Sequence, residues 1–171
     1  MTQDADAAQQ TPDESPFVLR QPTIVDGGAM WRVARDSQTL DLNSSYAYLL
    51  WARDFAATSV VAERAGEVVG FVSGYLRPQA PHTLMVWQVA VDADQRGHGL
   101  AGRMLSHLAD TIPGVRSLET TITDDNAASR ALFAGFARSR GAEHEEIDLF
   151  VREHFPDEGH EPEVLHRIGP F

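Results

Sequence analysis

The residues best suited to bind an anion form a short glycine-rich segment, which follows an apolar run and opens a helix-like pattern. In chain order they are Arg96, Gly97, His98, Gly99, Leu100 and Ala101. Glycines let a ligand approach the backbone, and amides at a helix N-terminus attract phosphate through their N–H groups and the helix dipole. The segment therefore predicts a phosphate site. The simpler alternative is a turn that only tightens strand-to-helix packing.

Gly102 completes the letters of the dinucleotide fingerprint Gly-x-Gly-x-x-Gly. A dinucleotide-binding fold places that turn after its first strand and continues with parallel crossovers. In this sequence, signals for antiparallel hairpins come before the glycines. We therefore expect a different ligand that contains pyrophosphate.

Two residue types are absent, and each absence excludes a chemistry. With no cysteine, the chain has no disulfide, no cysteine-ligated zinc and no thiol nucleophile. The sequence also has no lysine, so its 14 basic side chains are all arginines. This excludes a lysine Schiff base and the lysine of a Walker loop. Backbone amides and arginine must hold any phosphate.

Length and charge narrow the class of protein further. The 171 residues suit one domain, which we expect over residues 16–171 after a disordered acidic tail at residues 1–15. A net charge of −11 argues against nucleic acid as a partner, although excess surface carboxylates also simply favour solubility. No apolar run is long enough for a membrane span, and the start lacks an export signal, so we expect a cytoplasmic protein.

The hydrophobic pattern predicts a mixed α/β (α+β) domain. Strands are expected at residues 17–20, 58–63, 68–76, 83–91, 115–123, 147–150 and 164–168, with a loop at 77–82. Helices are expected at residues 24–35, from 46 to about 55, from 100 to 112 and at 126–137. The second helix is predicted to bury Tyr46, Leu49, Leu50 and Phe55, and the third Leu100, Met104, Leu105 and Leu108. The nearly continuous apolar run at 83–91 predicts a strand in the middle of the sheet.

Two motifs together resemble the acetyl-CoA site of the GNAT superfamily of N-acetyltransferases. They are Arg-x-x-Gly-x-Ala after Val-Trp-Gln-Val-Ala-Val at residues 86–91, and Asn-Ala-Ala-Ser-Arg-Ala-Leu-Phe at residues 126–133. The resemblance implies a mostly antiparallel sheet of six or seven strands, with a splayed central pair and flanking helices. It also implies that the backbone of Val89 and Val91 pairs with pantetheine, that residues 96–101 hold pyrophosphate, and that Asn126 binds the pantetheine arm.

Longer strings resemble a narrower family, the L-2,4-diaminobutyrate acetyltransferases of ectoine biosynthesis. They are Leu-Asp-Leu-Asn-Ser-Ser-Tyr-Ala-Tyr-Leu-Leu at residues 40–50, Thr-Ser-Val-Val-Ala-Glu at 58–63, Leu-Glu-Thr-Thr-Ile-Thr at 118–123, and the ending from residue 160 to 170. This resemblance implies acetyl transfer from acetyl-CoA to the γ-amine of L-2,4-diaminobutyrate, a role in osmoprotection, and a homodimer. The alternatives are a GNAT enzyme for another small amine and an acyl-CoA-binding sensor without catalysis.

The narrower resemblance also implies a substrate pocket made of Asp41, Tyr46, Trp87, His160 and Glu163, with catalytic roles for Glu163, Tyr46 and Asp41. Each residue has a simpler interpretation. Asp41 suits a helix cap, the two aromatic residues suit a core, and the last two suit a solvated loop. His160 and Glu163 offer two metal ligands without a third, so no metal is predicted.

The proton route of such a reaction is left open by the sequence. An alkyl ammonium with a pKa of about 10 must lose a proton before it attacks a thioester. Glu119 is a second candidate for the base. The alternative is that its carboxylate lies on a strand face with its hydrogen bonds already satisfied. Many GNAT members have a tyrosine as the acid where this chain has Phe133. Either another group such as Tyr46 serves, or the thiolate leaves unprotonated.

Overall fold

Seven strands form one sheet in the computed structural model, which describes residues 16–171. The strands are β1 Val18–Arg20, β2 Val60–Arg64, β3 Glu67–Arg77, β4 Ala80–Val91, β5 Ser117–Thr123, β6 His144–Phe150 and β7 Glu163–Ile168. Their order is β1-β2-β3-β4-β5-β7-β6. The helices are α1 Gly27–Ser37, α2 Ser45–Asp54, α3 Leu100–Thr111 and α4 Ala127–Arg140. The predicted acidic tail lies outside the described residues.

The two central strands diverge. β4 and β5 form the parallel pair of this otherwise antiparallel sheet, and they pair only from Thr83 to Met85 and from Ser117 to Glu119. Beyond that point β3 is the one described strand that pairs with the second half of β4, and the register between β3 and β4 skips Trp87. Such a bulge redirects a strand locally. The predicted fold class, including the splayed pair, is confirmed.

Apolar side chains pack on both faces of the sheet. On one face, the buried stripe of α3 consists of Leu100, Met104, Leu105 and Leu108, as its 3.6-residue spacing predicts. On the other face, Met30 and Ala34 of α1 pack with Phe71 of β3. β4 lies between the two layers, which explains its nearly continuous apolar sequence.

Helix α2 and the β3–β4 connection differ from their predictions. α2 buries Tyr48 and Ala52, whereas Tyr46 is 65% exposed and Leu49 is 41% exposed. The buried side of α2 is the one that faces Phe71, against whose ring Tyr48 packs edge-on. The predicted loop at residues 77–82 is also too long, because β4 already begins at Ala80.

The helices of the described residues are short. The longest, α4, has 14 residues. None of the helices between residues 16 and 171 combines the length and the apolar character that crossing a bilayer requires.

Candidate active site

Helix α3 begins at the glycine segment. Gly97 and Gly99 have φ angles of +84° and +65°, a left-handed conformation that favours glycine. Gly99 is the N-cap of α3, and within the described part of the chain no side chain caps the first N–H groups of this helix. The segment therefore presents amide donors and the positive end of the helix dipole to a ligand.

A cavity of about 350 Å³ includes these amides in its wall. β4 contributes Val89 and Val91 to the wall, from the half of the strand that has separated from β5. The segment contributes Arg96, Gly97, Gly99, Leu100 and Ala101. The structure thus brings the predicted pantetheine and pyrophosphate contacts together around one space.

His98 is the residue between 96 and 101 that does not line the cavity. Its ring packs edge-on against Phe17, with 5.7 Å between ring centroids, and its Nδ1 lies 3.2 Å from the carbonyl oxygen of Gln95. The His98 side chain is therefore turned away from the cavity lining. Only its backbone amide stays a predicted ligand contact.

Asn126 stands where the first cavity meets a second one. Its side-chain Oδ1 accepts a hydrogen bond of 3.0 Å from the backbone N–H of Ser129 and so caps α4. The Nδ2 group of Asn126 is the donor that this cap leaves for a ligand. Thr39, Leu40 and Asn126 line both cavities.

The second cavity has a volume of about 690 Å³ and an acidic lining. Six carboxylate residues line it: Asp41, Asp125, Asp157, Glu158, Glu161 and Glu163. The described lining contains no arginine. Opposite charges attract across such a space, so the cavity favours a cationic ligand.

Three of the predicted pocket residues meet around one imidazole. His160 Nε2 lies 3.9 Å from Asp41 Oδ2 and 4.0 Å from Glu163 Oε1. The His160 Nδ1 lies 2.7 Å from the carbonyl oxygen of Glu161. Because a carbonyl only accepts, Nδ1 must carry the proton, and in the neutral ring the Nε2 lone pair faces the two carboxylates. The His160 ring also stacks on Phe155, with 3.7 Å between centroids.

Trp87 forms an aromatic wall of the acidic cavity. It is 39% exposed, and its ring lies 4.2 Å from the ring of Trp51 on α2. Tyr46, by contrast, is not among the residues that line either cavity. Within one chain, the structure does not bring Tyr46 to the pocket for which it was predicted.

Gln88 is a pocket residue that the sequence interpretation missed, and Tyr48 is its buried hydrogen-bond partner. Gln88 lines the acidic cavity and is buried. Its Nε2 donates a hydrogen bond of 3.0 Å to the carbonyl of Asp41, and its Oε1 accepts one from the phenol of Tyr48. The available signal was a single polar residue inside the apolar run of β4.

Glu119 and Phe133 do not reach the cavities. The Glu119 carboxylate is 5% exposed and lies 2.8 Å from Arg77 Nη1 and 2.9 Å from Arg167 Nε. This arrangement supports the interpretation as a satisfied carboxylate and gives Glu119 no access to a substrate. Phe133 is buried in the core beside α3, so its position supplies no acid.

A family model described as the acetyltransferase (GNAT) family matches residues 29–136. The chain belongs to this family. L-2,4-Diaminobutyric acid acetyltransferase from Streptomyces coelicolor is 55% identical over 94% of this chain and 97% of that protein. The protein of the same name from Streptomyces anulatus is 56% identical over 88% of each chain.

A solved structure has the same architecture. It is diaminobutyrate acetyltransferase from Paenibacillus lautus, in complex with its substrate L-2,4-diaminobutyric acid and coenzyme A. That protein is 42% identical, with a TM-score of 0.87, over 91% of this chain and 96% of the other. Within the GNAT family, this chain therefore groups with the diaminobutyrate acetyltransferases.

Proposed function

We propose that this protein transfers the acetyl group of acetyl-CoA to the γ-amine of L-2,4-diaminobutyrate, giving Nγ-acetyl-L-2,4-diaminobutyrate in ectoine biosynthesis. The supporting observation is that a cavity lined by uncapped helix amides meets an acidic cavity at Thr39, Leu40 and Asn126. Such a pair of spaces suits an anionic acyl carrier and a cationic acceptor. The names of the relatives agree with this assignment.

The first cavity is assigned to acetyl-CoA. The amides at the start of α3 and the Arg96 guanidinium bind the pyrophosphate, since both are donors to anionic oxygen. The backbone of Val89 and Val91 pairs with the pantetheine arm, in the gap where β5 no longer accompanies β4. Asn126 donates to that arm from Nδ2.

The acidic cavity is assigned to the diamino acid. Asp41 and Glu163 each bind one ammonium group, which fixes the γ-amine relative to the α-amine and so determines which nitrogen reacts. The face of Trp87 attracts a cation or covers the methylene groups, and a cation–π contact contributes about 0.5–2 kcal/mol. His160 lies between the two carboxylates and completes this wall.

The attack requires one proton to leave the γ-ammonium group, and the nitrogen loses a second proton to water or to the departed thiolate as the amide forms. The Glu163 carboxylate and the lone pair of His160 Nε2 face each other at 4.0 Å, and we assign proton acceptance to this pair. The freed nitrogen then forms a bond to the thioester carbon as the C–S bond breaks. A backbone N–H near Val89 stabilises the oxyanion. A thiol with a pKa of about 8.5 leaves readily as its thiolate, so the chemistry does not need an acid at Phe133.

We further infer a homodimer that acts in the cytoplasm, where acetyl-CoA is available, and that contributes to osmoprotection. Apolar residues on and near α2 are exposed in the single chain, among them Leu42, Tyr46 and Leu49. A second copy that covers this face would hide apolar area from water. Such a second copy would also offer Tyr46 a pocket outside its own chain. Light scattering of the purified protein measures the mass directly, and a monomer at all concentrations contradicts this inference.

The central experiment offers acetyl-CoA with L-2,4-diaminobutyrate, ornithine, lysine or putrescine and measures thiol release. We expect turnover with L-2,4-diaminobutyrate at a higher kcat/KM than with the other amines, and γ-acetylated product by NMR. Release with putrescine alone would indicate another amine acetyltransferase. Coenzyme binding without any release would indicate a sensor.

Two variants separate amine recognition from coenzyme binding. Glu163→Gln and Asp41→Asn each remove one negative charge from the pocket, so we expect KM for the amine to rise about tenfold or more. The Kd for coenzyme A should stay unchanged. Glu153→Gln, which removes an exposed carboxylate from a short helical turn outside the described lining, is the matched control. Equal losses of coenzyme and amine binding would assign both residues a structural role.

A further inference from the structure

A second cluster of ligand-type side chains lies away from both cavities, on the outer strands of the sheet. His144 and Glu146 are two positions apart on the edge strand β6 and so share one face, while Glu146 lies opposite His166 of β7. His144 Nε2 is 2.9 Å from His166 Nδ1, and Glu146 Oε1 is 3.8 Å from that nitrogen. The three donor atoms all lie within 4.8 Å of one another.

Packing alone does not account for the imidazole of His166. The residue is fully buried, and its Nε2 has no hydrogen-bond partner among residues 16–171. A buried polar atom without a partner destabilises a fold, and an apolar side chain of similar size would avoid that loss. What distinguishes histidine at this position is its other nitrogen, Nδ1, which faces His144 and Glu146.

We propose that His144, Glu146 and His166 form a binding site for a divalent transition-metal ion, with Zn²⁺ as the best-matched probe. Two imidazole nitrogens and one carboxylate oxygen are a common ligand set for this class of ion, and water takes the fourth position. Tetrahedral bonds of about 2.0–2.1 Å separate two ligand nitrogens by about 3.3 Å. The observed 2.9 Å between His144 Nε2 and His166 Nδ1 is close to that spacing.

Arg130 of α4 supports this arrangement from outside. Its Nη2 lies 3.4 Å from Oε2 of Glu146, whereas Oε1 of the same carboxylate faces the imidazoles. A partner for the second oxygen orients the first one, as outer hydrogen bonds commonly do at metal sites. The pair His160 and Glu163, from which the sequence predicts no metal, is a separate group in the acidic cavity.

The position of this site links it to the substrate pocket. The ion would join β6 to β7, and β7 begins at Glu163. Residues 157–161 of the β6–β7 connection line the acidic cavity. A metal bond between the two strands would therefore hold in place the segment that carries His160 and Glu163, without taking part in acetyl transfer.

The test uses full-length protein without a histidine tag, stripped of metal with a chelator and titrated with Zn²⁺ by calorimetry. We expect one ion per chain, and a Tm about 5–10 °C higher at a free Zn²⁺ concentration of a hundred times Kd. His144→Ala and Glu146→Gln should each weaken this binding at least tenfold. Both side chains are partly exposed, so their replacement is compatible with folding.

His107→Ala is the matched control, because it removes a histidine of α3 that lies outside the cluster. We expect it to keep the affinity and the Tm shift of the unmodified protein. Binding of Co²⁺ gives a second readout, since tetrahedral coordination produces strong visible absorption that His144→Ala should abolish. Absence of stoichiometric Zn²⁺ binding would overturn the proposal, as would equal binding by His144→Ala.

Discussion

Tyr48 donates a hydrogen bond from its phenol to Oε1 of Gln88, with 3.0 Å between the two oxygens. Gln88 in turn donates from Nε2 to the backbone carbonyl of Asp41, also at 3.0 Å. Tyr48 and Gln88 are both buried, so the bond between their side chains is shielded from bulk water. This relay joins α2 to β4 and holds the segment before α2 at the rim of the acidic cavity.

Tyr48→Phe tests Tyr48 as a positioning residue. The variant keeps the ring on Phe71 but leaves Oε1 of Gln88 without its donor, which costs about 1 kcal/mol of unfolding free energy. Because the Asp41 backbone then loses its fixed partner, we expect KM for the diamino acid to rise about fivefold. KM for acetyl-CoA should not change. Tyr75→Phe, outside the described linings of both cavities, is the control, and a purely structural role for Tyr48 would change both KM values or neither.

A local sequence pattern predicts a helix or strand correctly when the residues of that element alone show which of its sides is buried. The buried face of α3 is predictable because its apolar residues occur at a single helical spacing, and β4 because its apolar run fits only a central strand. Helix α2 carries Tyr46 and Tyr48 on different sides, and the aromatic ring of each is suited to a buried position. The position of Phe71 on the sheet decides between them, and no local pattern contains that information.

The residues of the site also differ in whether local sequence alone predicts them. The glycine segment is predictable from local physics, since the donors of a helix N-terminus and the conformation of glycine are properties of neighbouring residues. Asp41 is far from His160 and Glu163 in the chain, and only a resemblance to a family predicts that the three residues meet. The cluster of His144, Glu146 and His166, which we propose as a metal site, depends on cross-strand register, which sequence spacing does not reveal.

Gly99→Ala tests the assignment of the first cavity. A Cβ at Gly99 meets no atom within 4 Å, but the left-handed conformation destabilises alanine by about 1–2 kcal/mol, and the methyl group occupies the cavity wall. We expect KM for acetyl-CoA to rise about tenfold. Gly141→Ala is a matched control, because Gly141 has a φ of +60° and the same open surroundings at the end of α4. A similar loss of coenzyme affinity in both variants would contradict the assignment.

Glu119→Gln distinguishes a structural carboxylate from a catalytic base. The substitution removes the charge that Arg77 and Arg167 share, so we expect unfolding free energy to fall by roughly 1–3 kcal/mol. The pH profile of kcat/KM should keep its midpoint, because Glu119 does not line the cavities. Thermal unfolding and a pH series of initial rates measure the two effects. Loss of the acidic limb of the profile, where a base becomes protonated, would make Glu119 the base if the fold stays intact.

Asp26 gives the fold a defined sensitivity to acid. The carboxylate is 5% exposed, and paired hydrogen bonds from Arg20, followed by bonds from Thr23, lower the pKa of Asp26 from 3.8 to about 2. Because the folded pKa is below the unfolded value, this contribution is complete above about pH 4 and disappears as the pH falls to about 2. Asp26→Asn should therefore lower the unfolding free energy by roughly 1–2 kcal/mol at pH 7 and by much less at pH 2. Denaturant unfolding across this range measures the difference, with Asp54→Asn, an exposed partner of Arg53, as a control that should have little effect. A constant difference at every pH would show that Asp26 stabilises the fold by its shape and not by its charge.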